Sequence, residues 1–269
     1  MKKITLLCIA TMMFVACNKE ENLSDNNNDP IPAPIVDGII PDAVTDYDGN
    51  SYDAVRLGDQ VWMASNLRTT HYANGDSIPR GTAAASFLDP QYFSATDPYY
   101  YVVLNNDSYI TKYGCYYNWT ALMHGTSGSS LNPSGVQGVC PTGWHVPSYA
   151  EWEQLCTYCK SKDEYVCGEF REIAKALSAD YSWSPPPQQV NVAACSVGND
   201  VSANNATGFC AVPAGTDGYG GIDNYVYMWS ATEADNNKSY YFYIPFGGVN
   251  PAMYPAGRSG AFSVRCIKD

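Results

Sequence analysis

The sequence predicts a sheet-rich domain that carries two helices, and three observations lead to this expectation. Charged residues make up only 16% of the chain, whereas glycine, proline and tyrosine are abundant at 22, 17 and 22 residues. Such a composition favours turns and short strands over long helices. Two segments space their apolar residues as a helix does, and several later segments alternate apolar and polar residues as strands do.

Residues 1–16 have the features of an export signal. Lys2 and Lys3 precede an apolar run from Ile4 to Val15, which is too short to span a bilayer stably and is typical of a signal peptide. The run ends Phe-Val-Ala-Cys and resembles a bacterial lipobox, which implies cleavage before Cys17 and acylation of that residue. The segment Asn18 to Glu21 resembles the export signal of Bacteroidetes-type lipoproteins. We therefore expect a lipid anchor in the outer membrane and exposure at the cell surface.

A polar tether and a single domain are expected after the signal segment. Residues 17–41 are rich in Asn, Asp, Ser, Pro and Glu and contain few large apolar side chains. Burial therefore cannot offset the entropy lost on ordering them. We predict a flexible tether over residues 17–41, which would hold the domain on the order of 30 Å from the lipid. The folded domain is predicted over residues 42–269.

The domain is expected to open with a hairpin over Ser51 to Ala64, because apolar residues alternate on both sides of a Gly58-Asp59 turn. Residues 74–108 show no sustained period and are predicted as loop with short strands.

Both helices are predicted from apolar residues spaced i, i+3, i+4 and i+7. A capping box of Ser148 and Glu151 starts the first helix. Its apolar face comprises Trp152, Leu155, Cys156 and Cys159. A second helix is predicted over about Glu169 to Ser178, with the apolar face Phe170, Ile173, Ala174 and Leu177.

The rest of the chain is predicted as one long irregular segment and four strands. Residues 179–208 contain three consecutive prolines, and such a segment inside a compact domain is usually functional or mobile. In the last strand, alternation places Cys266 in the core and Arg265 on the opposite face. The predicted strands are Phe209 to Pro213, Tyr225 to Ser230, Tyr240 to Phe246 and Ala261 to Lys268.

Charge and motifs exclude several classes of function. The formal charge of −12 becomes −14 (−12 − 2) once Lys2 and Lys3 leave with the signal segment, which argues against a nucleic-acid partner. No phosphate loop or metalloprotease helix is present in the sequence. The histidines are far apart, and His145 beside Trp144 is expected to be a hydrogen-bonded core residue rather than a general base. We therefore expect no enzyme and no metal centre.

Cysteines other than Cys8 and Cys17 number eight, and an even count in an exported protein favours disulfides. The pair Cys156 and Cys159 lies two turns inside the first helix, whereas a redox pair sits at a helix N-terminus. No second cysteine pair or histidine cluster completes a zinc site. Structural disulfides are therefore expected.

Seven motifs occur in order along the chain and carry a family resemblance. They are Asp48-Gly49-Asn50, Trp62-Met63-Ala64, Gly114-x-x-Tyr117-Asn118-Trp119, Cys140-Pro141-x-Gly143-Trp144-His145, Gly208-Phe209, Trp229-Ser230 and Ser263-Val264-Arg265-Cys266. Over about Asp46 to Asp269 the chain resembles the Fibrobacter succinogenes major paralogous domain family. That family is similar to C-type-lectin-like folds and to formylglycine-generating enzymes. The resemblance implies an α+β, C-type-lectin-like fold with two helices flanking a twisted antiparallel sheet and long inserted loops.

The resemblance implies one disulfide, but the sequence lacks the functional motifs of the two related protein classes. Cys140 and Cys266 both lie in family motifs, and a bond between them would close a loop of more than a hundred residues. Cys156 with Cys266 is the main alternative. Formylglycine-generating enzymes use a pair of cysteines near the chain end, but Cys266 is alone after Cys210. The sugar-binding and calcium-binding triplets of C-type lectins are absent from the sequence.

We expect a non-catalytic binding or adhesion module for a glycan or another cell-surface partner, acting through the loops between Ala179 and Tyr227. Flat rings suit sugar faces, while carboxylates and amides suit hydroxyls. Asp217 and Asp223 offer two ligands for calcium, and no other cofactor is expected. An enzyme of unknown type on the same fold and a structural protein of an appendage tip stay open as alternatives. The favoured ligand-binding residues are Tyr181, Asp217, Tyr219, Asp223, Asn224 and Tyr225.

Overall fold

A computed structural model describes residues 37–81, 94–184, 192–216 and 220–269. The signal segment, Cys17 and most of the predicted tether lie outside these residues. The strands are β1 (Gly38–Thr45), β2 (Ser51–Leu57), β3 (Gln60–Met63), β4 (Tyr100–Val102), β5 (Cys115–Asn118), β6 (Trp144–His145), β7 (Tyr225–Glu233), β8 (Lys238–Pro245), β9 (Ala252–Gly257), β10 (Ala261–Phe262) and β11 (Ile267–Lys268). The helices are α1 (Ile110–Tyr113), α2 (Trp119–Met123), α3 (Tyr149–Ser161) and α4 (Ala174–Leu177).

Within the described ranges the strands pair antiparallel in three sheets, ordered β1-β2-β3-β11-β6, β10-β5-β4 and β7-β8-β9. The predicted hairpin is confirmed as β2 and β3, which turn at Gly58 with a φ of 61° that glycine adopts at no steric cost. The sheet-rich expectation is therefore confirmed. The same described ranges contain no helix that is both long and apolar enough to cross a bilayer.

The β2–β3 hairpin separates two apolar clusters, and each of its faces is buried. Ala54 and Met63 lie in the first cluster, with the disulfide Cys140–Cys266. Val55 and Trp62 lie in the second cluster, which also holds the buried face of α3. This division explains why the hairpin carries apolar residues at adjacent as well as alternating positions.

Helix α3 begins as predicted. The Ser148 hydroxyl accepts the Glu151 N–H, and the Glu151 carboxylate accepts the Ser148 N–H, which completes the capping box. Trp152 is fully buried, with its ring centroid 4.6 Å from that of Trp62 and 4.3 Å from that of Phe242. Helix α3 is thereby fixed against both the β2–β3 hairpin and β8.

The prediction of a second helix over residues 169–178 is wrong except for its last turn, α4. Phe170 is 85% exposed instead of packing on an apolar face. Cys167 and Glu172 form an isolated bridge around a tight turn in which Arg171 has a φ of 56°. A residue with left-handed backbone angles cannot continue a right-handed helix, so no helix runs through Arg171. The disulfide from Cys167 to Cys195 holds this turn in place. The two flanking helices implied by the resemblance are therefore not shown: among the described residues α3 is the only helix longer than five residues.

The strand predictions for the C-terminal half are confirmed in part. The strands predicted over residues 225–230 and 240–246 correspond to β7 and β8, whereas β9 was not predicted. The prediction for residues 209–213 is wrong, because Cys210 has a φ of 55° and only Ala211 forms a bridge, with Ser178. The last predicted strand is two short strands, β10 and β11, which belong to different sheets.

The folded part begins earlier than residue 42. Strand β1 starts at Gly38 and pairs with β2. The Asp37 carboxylate accepts the hydroxyls of Tyr158 (2.8 Å) and Tyr165 (2.9 Å) and the Gly58 N–H (2.9 Å). The end of the stretch predicted as tether is therefore fastened to the domain.

Candidate functional site

Five tyrosines share one face of the β7-β8-β9 sheet, and we call this surface the tyrosine face. Side chains alternate along a strand, so residues two apart lie on the same face. The intervening residues Val226, Met228, Phe242 and Ile244 are buried in the second core cluster. The tyrosine face comprises Tyr225 and Tyr227 on β7, Tyr241 and Tyr243 on β8, and Tyr254 on β9.

Register brings the rings of the tyrosine face together. Tyr227 lies opposite Tyr243, with ring centroids 5.1 Å apart, and Tyr241 lies opposite Tyr254, with centroids 6.3 Å apart. The Tyr225 ring stacks on that of Tyr243 at 5.9 Å. Tyr254 is 49% exposed and the other four are half-buried, so the rings form a packed but accessible layer.

A cleft of about 240 Å³ adjoins the tyrosine face. The buried ring of Phe262 lies 5.4 Å from that of Tyr227 and 4.9 Å from that of Tyr241 and contributes to its wall. None of the described residues that line the cleft carries a charge. They are Thr216, Tyr227, Tyr241, Ala256, Gly257, Ser259, Gly260 and Phe262.

Burial raises the pKa values of three of these tyrosines above their usual value. It raises the pKa of Tyr227 to about 12, with nearby Tyr241 and Tyr225 adding to the effect. The pKa values of Tyr241 and Tyr243 are also raised, chiefly by burial. The surface therefore offers flat rings with hydroxyls that both donate and accept hydrogen bonds, and no fixed charge.

The structure brings only part of the predicted ligand-binding set to this surface. Tyr225 belongs to the tyrosine face, and Asn224 immediately precedes it, with its amide donating to the Ile222 carbonyl at 3.0 Å. Asp217 and Tyr219 lie outside the described residues.

Asp223 has a structural role in the loop. Its carboxylate accepts the Tyr113 hydroxyl at 2.6 Å, and its carbonyl accepts the Ser184 N–H at 2.7 Å. Its φ of 64° and these contacts fix the loop to two other segments. In the described part of the chain, no group of three or more His, Cys, Asp or Glu side chains could hold a metal ion.

Tyr181 does not join the tyrosine face through any ring contact among the described residues. It is 44% exposed, and its hydroxyl accepts a hydrogen bond from the Cys210 thiol at 3.6 Å. Trp183 and Trp229 are buried, as the core interpretation expected.

Two disulfides are present in the described chain. Cys140 pairs with Cys266, the pair that the family motifs favoured, so the alternative of Cys156 with Cys266 is excluded. The bond between Cys167 and Cys195 was not singled out from the sequence. The even count favoured disulfides among all eight cysteines, but four of them are free: Cys115, Cys156, Cys159 and Cys210. Burial raises the pKa of Cys156 to about 12, so its thiol is not a reactive thiolate at neutral pH.

His145 is a buried and fully paired residue, as expected. Its Nδ1 lies 2.7 Å from the Asp269 carboxylate and its Nε2 lies 2.7 Å from the Glu151 carboxylate. His71 also has a carboxylate partner, because its Nδ1 lies 2.5 Å from Asp48. The Asp48 carboxylate also accepts the Thr70 N–H and hydroxyl, so this group ties two loops together.

A comparison with protein families finds one match. The model described as the Fibrobacter succinogenes major domain matches residues 55–268, which include both disulfides and the tyrosine face. No curated protein and no solved structure matches the chain.

Proposed function

The chain belongs to the Fibrobacter succinogenes major domain family, and on that premise we propose that it is a surface-exposed lipoprotein that binds neutral glycans without catalysis. Cys17 would carry the lipid, and the residues up to β1 would hold the domain away from the outer membrane. The C-type-lectin-like architecture is part of this proposal, with recognition on one sheet and its adjoining loops.

One observation carries the proposal: five partly exposed tyrosines cover one face of a three-stranded sheet. Aromatic rings stack on the apolar C–H faces of pyranose sugars, and their hydroxyls meet the equatorial hydroxyls of the ligand. The uncharged cleft favours neutral saccharides over sulfated or phosphorylated ones. A charged ligand would lose hydration at this surface without gaining an ion pair.

The loop that precedes β7 supports the same ligand class. Thr216 lines the cleft beside Tyr227, and the loop from Thr216 leads through Asp217 and Tyr219 to Tyr225. Asp217 would accept sugar hydroxyls, whereas the Asp223 carboxylate already accepts the Tyr113 hydroxyl. We therefore propose that binding does not depend on calcium.

A shallow, open site implies weak binding by a single domain. We expect a dissociation constant of about 10 μM to 1 mM, with useful avidity arising from many copies on one cell.

The test is a glycan array followed by calorimetry on the mature chain, with and without a chelator. The variant Tyr225→Ala/Tyr254→Ala removes two rings and is expected to weaken binding roughly 10-fold or more. Tyr47→Ala is the matched control, because Tyr47 is 59% exposed and lies on the turn before β2. It should bind as the wild type does.

Two outcomes would contradict the proposal. Equal binding by the double variant and the wild type would remove the tyrosine face from recognition. Failure of the wild type to bind any glycan would favour a protein partner or an enzymatic role instead.

A further inference from the structure

The connection from β9 to β10 passes over one end of the tyrosine face. Strand β9 lies on one side of β7 and β8 in the sheet, whereas Ser263, directly after β10, bridges β7 on its other side. Residues 257–262, which we call the crossing segment, must therefore pass across the sheet. They do so on the tyrosine face, because the Phe262 ring lies 5.4 Å from that of Tyr227 and 4.9 Å from that of Tyr241.

Arg258 fixes the crossing segment to the turn between β7 and β8. Its N–H donates to the Asn237 carbonyl at 3.2 Å, and its guanidinium donates to the Asp235 carbonyl at 3.1 Å. The guanidinium also forms an ion pair with Glu233 at 3.1 Å and lies 4.1 Å from the centroid of the Trp119 ring. The crossing segment is thereby held in place before any ligand binds, which lowers the ordering cost of binding.

The uncharged cleft lies where the crossing segment meets the tyrosine face. The sheet contributes Tyr227, Tyr241 and Ala256 to its lining, and the crossing segment contributes Ser259 and Phe262. Because the backbone of the crossing segment stands on the sheet here, the tyrosine face is closed at this end.

Away from the crossing segment the tyrosine face stays accessible. On β8, Tyr241 lies nearer to the turn between β7 and β8, and Tyr243 lies farther from it. Tyr225 lies opposite Pro245, at the end of β8 that is farthest from this turn. Tyr254 is 49% exposed on the neighbouring strand. A ligand that begins in the cleft can therefore continue over the rings in one direction.

The volume of the cleft is that of a single sugar. A cavity of about 150 Å³ holds one benzene ring, and two rings would need about 300 Å³. The cleft of about 240 Å³ has room for one six-membered sugar ring with its hydroxyls, but not for two such rings. Its small residues Ala256, Gly257 and Gly260 leave this space open, and the Ser259 hydroxyl can both donate and accept a hydrogen bond.

We propose that the cleft receives the terminal sugar of an uncharged glycan chain, while the tyrosine face holds the sugars that follow it. The proposal rests on glycan binding at the tyrosine face and adds which part of the glycan is recognised. An internal sugar has neighbours on both sides, so one neighbour would collide with the crossing segment. Such a clash selects for chain ends.

The test compares oligosaccharides of different length by calorimetry. The protein is the chain from residue 17 onward with Cys17→Ser, and the probes are linear tri- and hexasaccharides of glucose, mannose, galactose and xylose. Binding at the chain end should give dissociation constants within about 2-fold for the two lengths and one protein per chain. Binding to internal sugars should favour the hexasaccharide about 4-fold, because a site for three sugars can occupy it in four registers.

Two variants fill the cleft from different sides. Ala256→Leu does so from β9 and Ser259→Leu from the crossing segment, and each should weaken binding of both lengths roughly 10-fold or more. Ala203→Leu is the matched control, because Ala203 is exposed and does not line the cleft. It should bind as the wild type does, and urea midpoints should show that all three variants fold.

The outcomes separate this proposal from glycan binding as such. A hexasaccharide that binds about 4-fold more tightly, or folded Ala256→Leu and Ser259→Leu proteins that bind as the wild type does, would overturn recognition of the chain end. Glycan binding at the tyrosine face would survive that result if Tyr225→Ala/Tyr254→Ala still weakened binding. Failure of every probe to bind would remove both proposals.

Discussion

Loss of the Cys140–Cys266 disulfide should lower the free energy of unfolding by about 5 kcal/mol. The two cysteines are 126 residues apart, and in the chain-entropy model a cross-link across a loop of that length removes entropy worth about 5 kcal/mol at 25 °C from the unfolded chain. The Cys167–Cys195 bond spans only 28 residues, for which the same model gives about 3.5 kcal/mol. Both Cys140 and Cys266 are fully buried, so their removal also leaves a small gap in the first core cluster.

Urea unfolding of two double variants tests this difference. Cys140→Ala/Cys266→Ala should lose about 1 kcal/mol more than Cys167→Ala/Cys195→Ala, and its m-value should rise because the unfolded chain expands. A domain is typically stable by about 5–15 kcal/mol, so the first variant should be close to unfolding at 37 °C. An equal or larger loss in the second variant would refute the loop-length reasoning.

Two further predictions concern a buried histidine and the amino terminus. Burial alone would lower the pKa of His145, but hydrogen bonds and charges of Glu151 and Asp269 raise it above 6.5. Its imidazolium therefore stabilises the fold fully below pH 6.5, and this contribution is lost as the pH rises through the raised pKa. His145→Asn should flatten that decline in urea midpoints, and an unchanged pH profile would contradict the assignment. Cys17→Ala should abolish incorporation of a palmitate analogue and membrane association, so a variant that is still lipidated would end the lipoprotein hypothesis.

Features determined by neighbouring residues were predicted well. The capping box needs only Ser148 and Glu151 and their spacing, and the β2–β3 hairpin needs only alternation and a tight turn at Gly58. In both cases the residues that form the hydrogen bonds lie within a few positions of one another. The local sequence is therefore sufficient to predict both the capping box and the hairpin.

The prediction of the second helix was wrong because the bond that prevents the helix involves a residue far along the chain. The apolar spacing from Phe170 to Leu177 fits a helix, but the first residues are taken into a turn closed by the bond from Cys167 to Cys195. Eight cysteines permit many pairings, and spacing alone does not rank them. The exposed Phe170 is a consequence of that distant pairing.

Of the five residues of the tyrosine face, the sequence analysis selected only Tyr225 and missed the other four. Tyr225 was selected as the last residue of an acidic loop and as the first residue of a predicted strand, and β7 does begin there. The useful signal was the repetition of tyrosine at positions two apart in two successive strands, 225 with 227 and 241 with 243. Tyr254 had no such signal, because β9 contains Pro255 and was not predicted as a strand.

Arg265 shows what alternation alone does not reveal about the end of the chain. A period of two placed it on the face opposite Cys266, and the structure shows that Arg265 is fully buried as well. Its guanidinium donates to the carbonyls of Met63 (2.9 Å), Phe209 and Cys210 (3.1 Å) and to the Asn66 side chain (2.9 Å).

These acceptors compensate a charge that has no carboxylate partner among the described residues. Burial lowers the pKa of Arg265 to about 10, so it stays protonated at neutral pH, and charge-assisted bonds to neutral oxygens offset the lost hydration. Two adjacent residues thus join the last segment to distant parts of the chain, Cys266 through a covalent bond to Cys140 and Arg265 through carbonyls of the β3 end and the Phe209 segment. Since carbonyl acceptors belong to every residue, no side-chain pattern in the sequence marks which ones Arg265 will find.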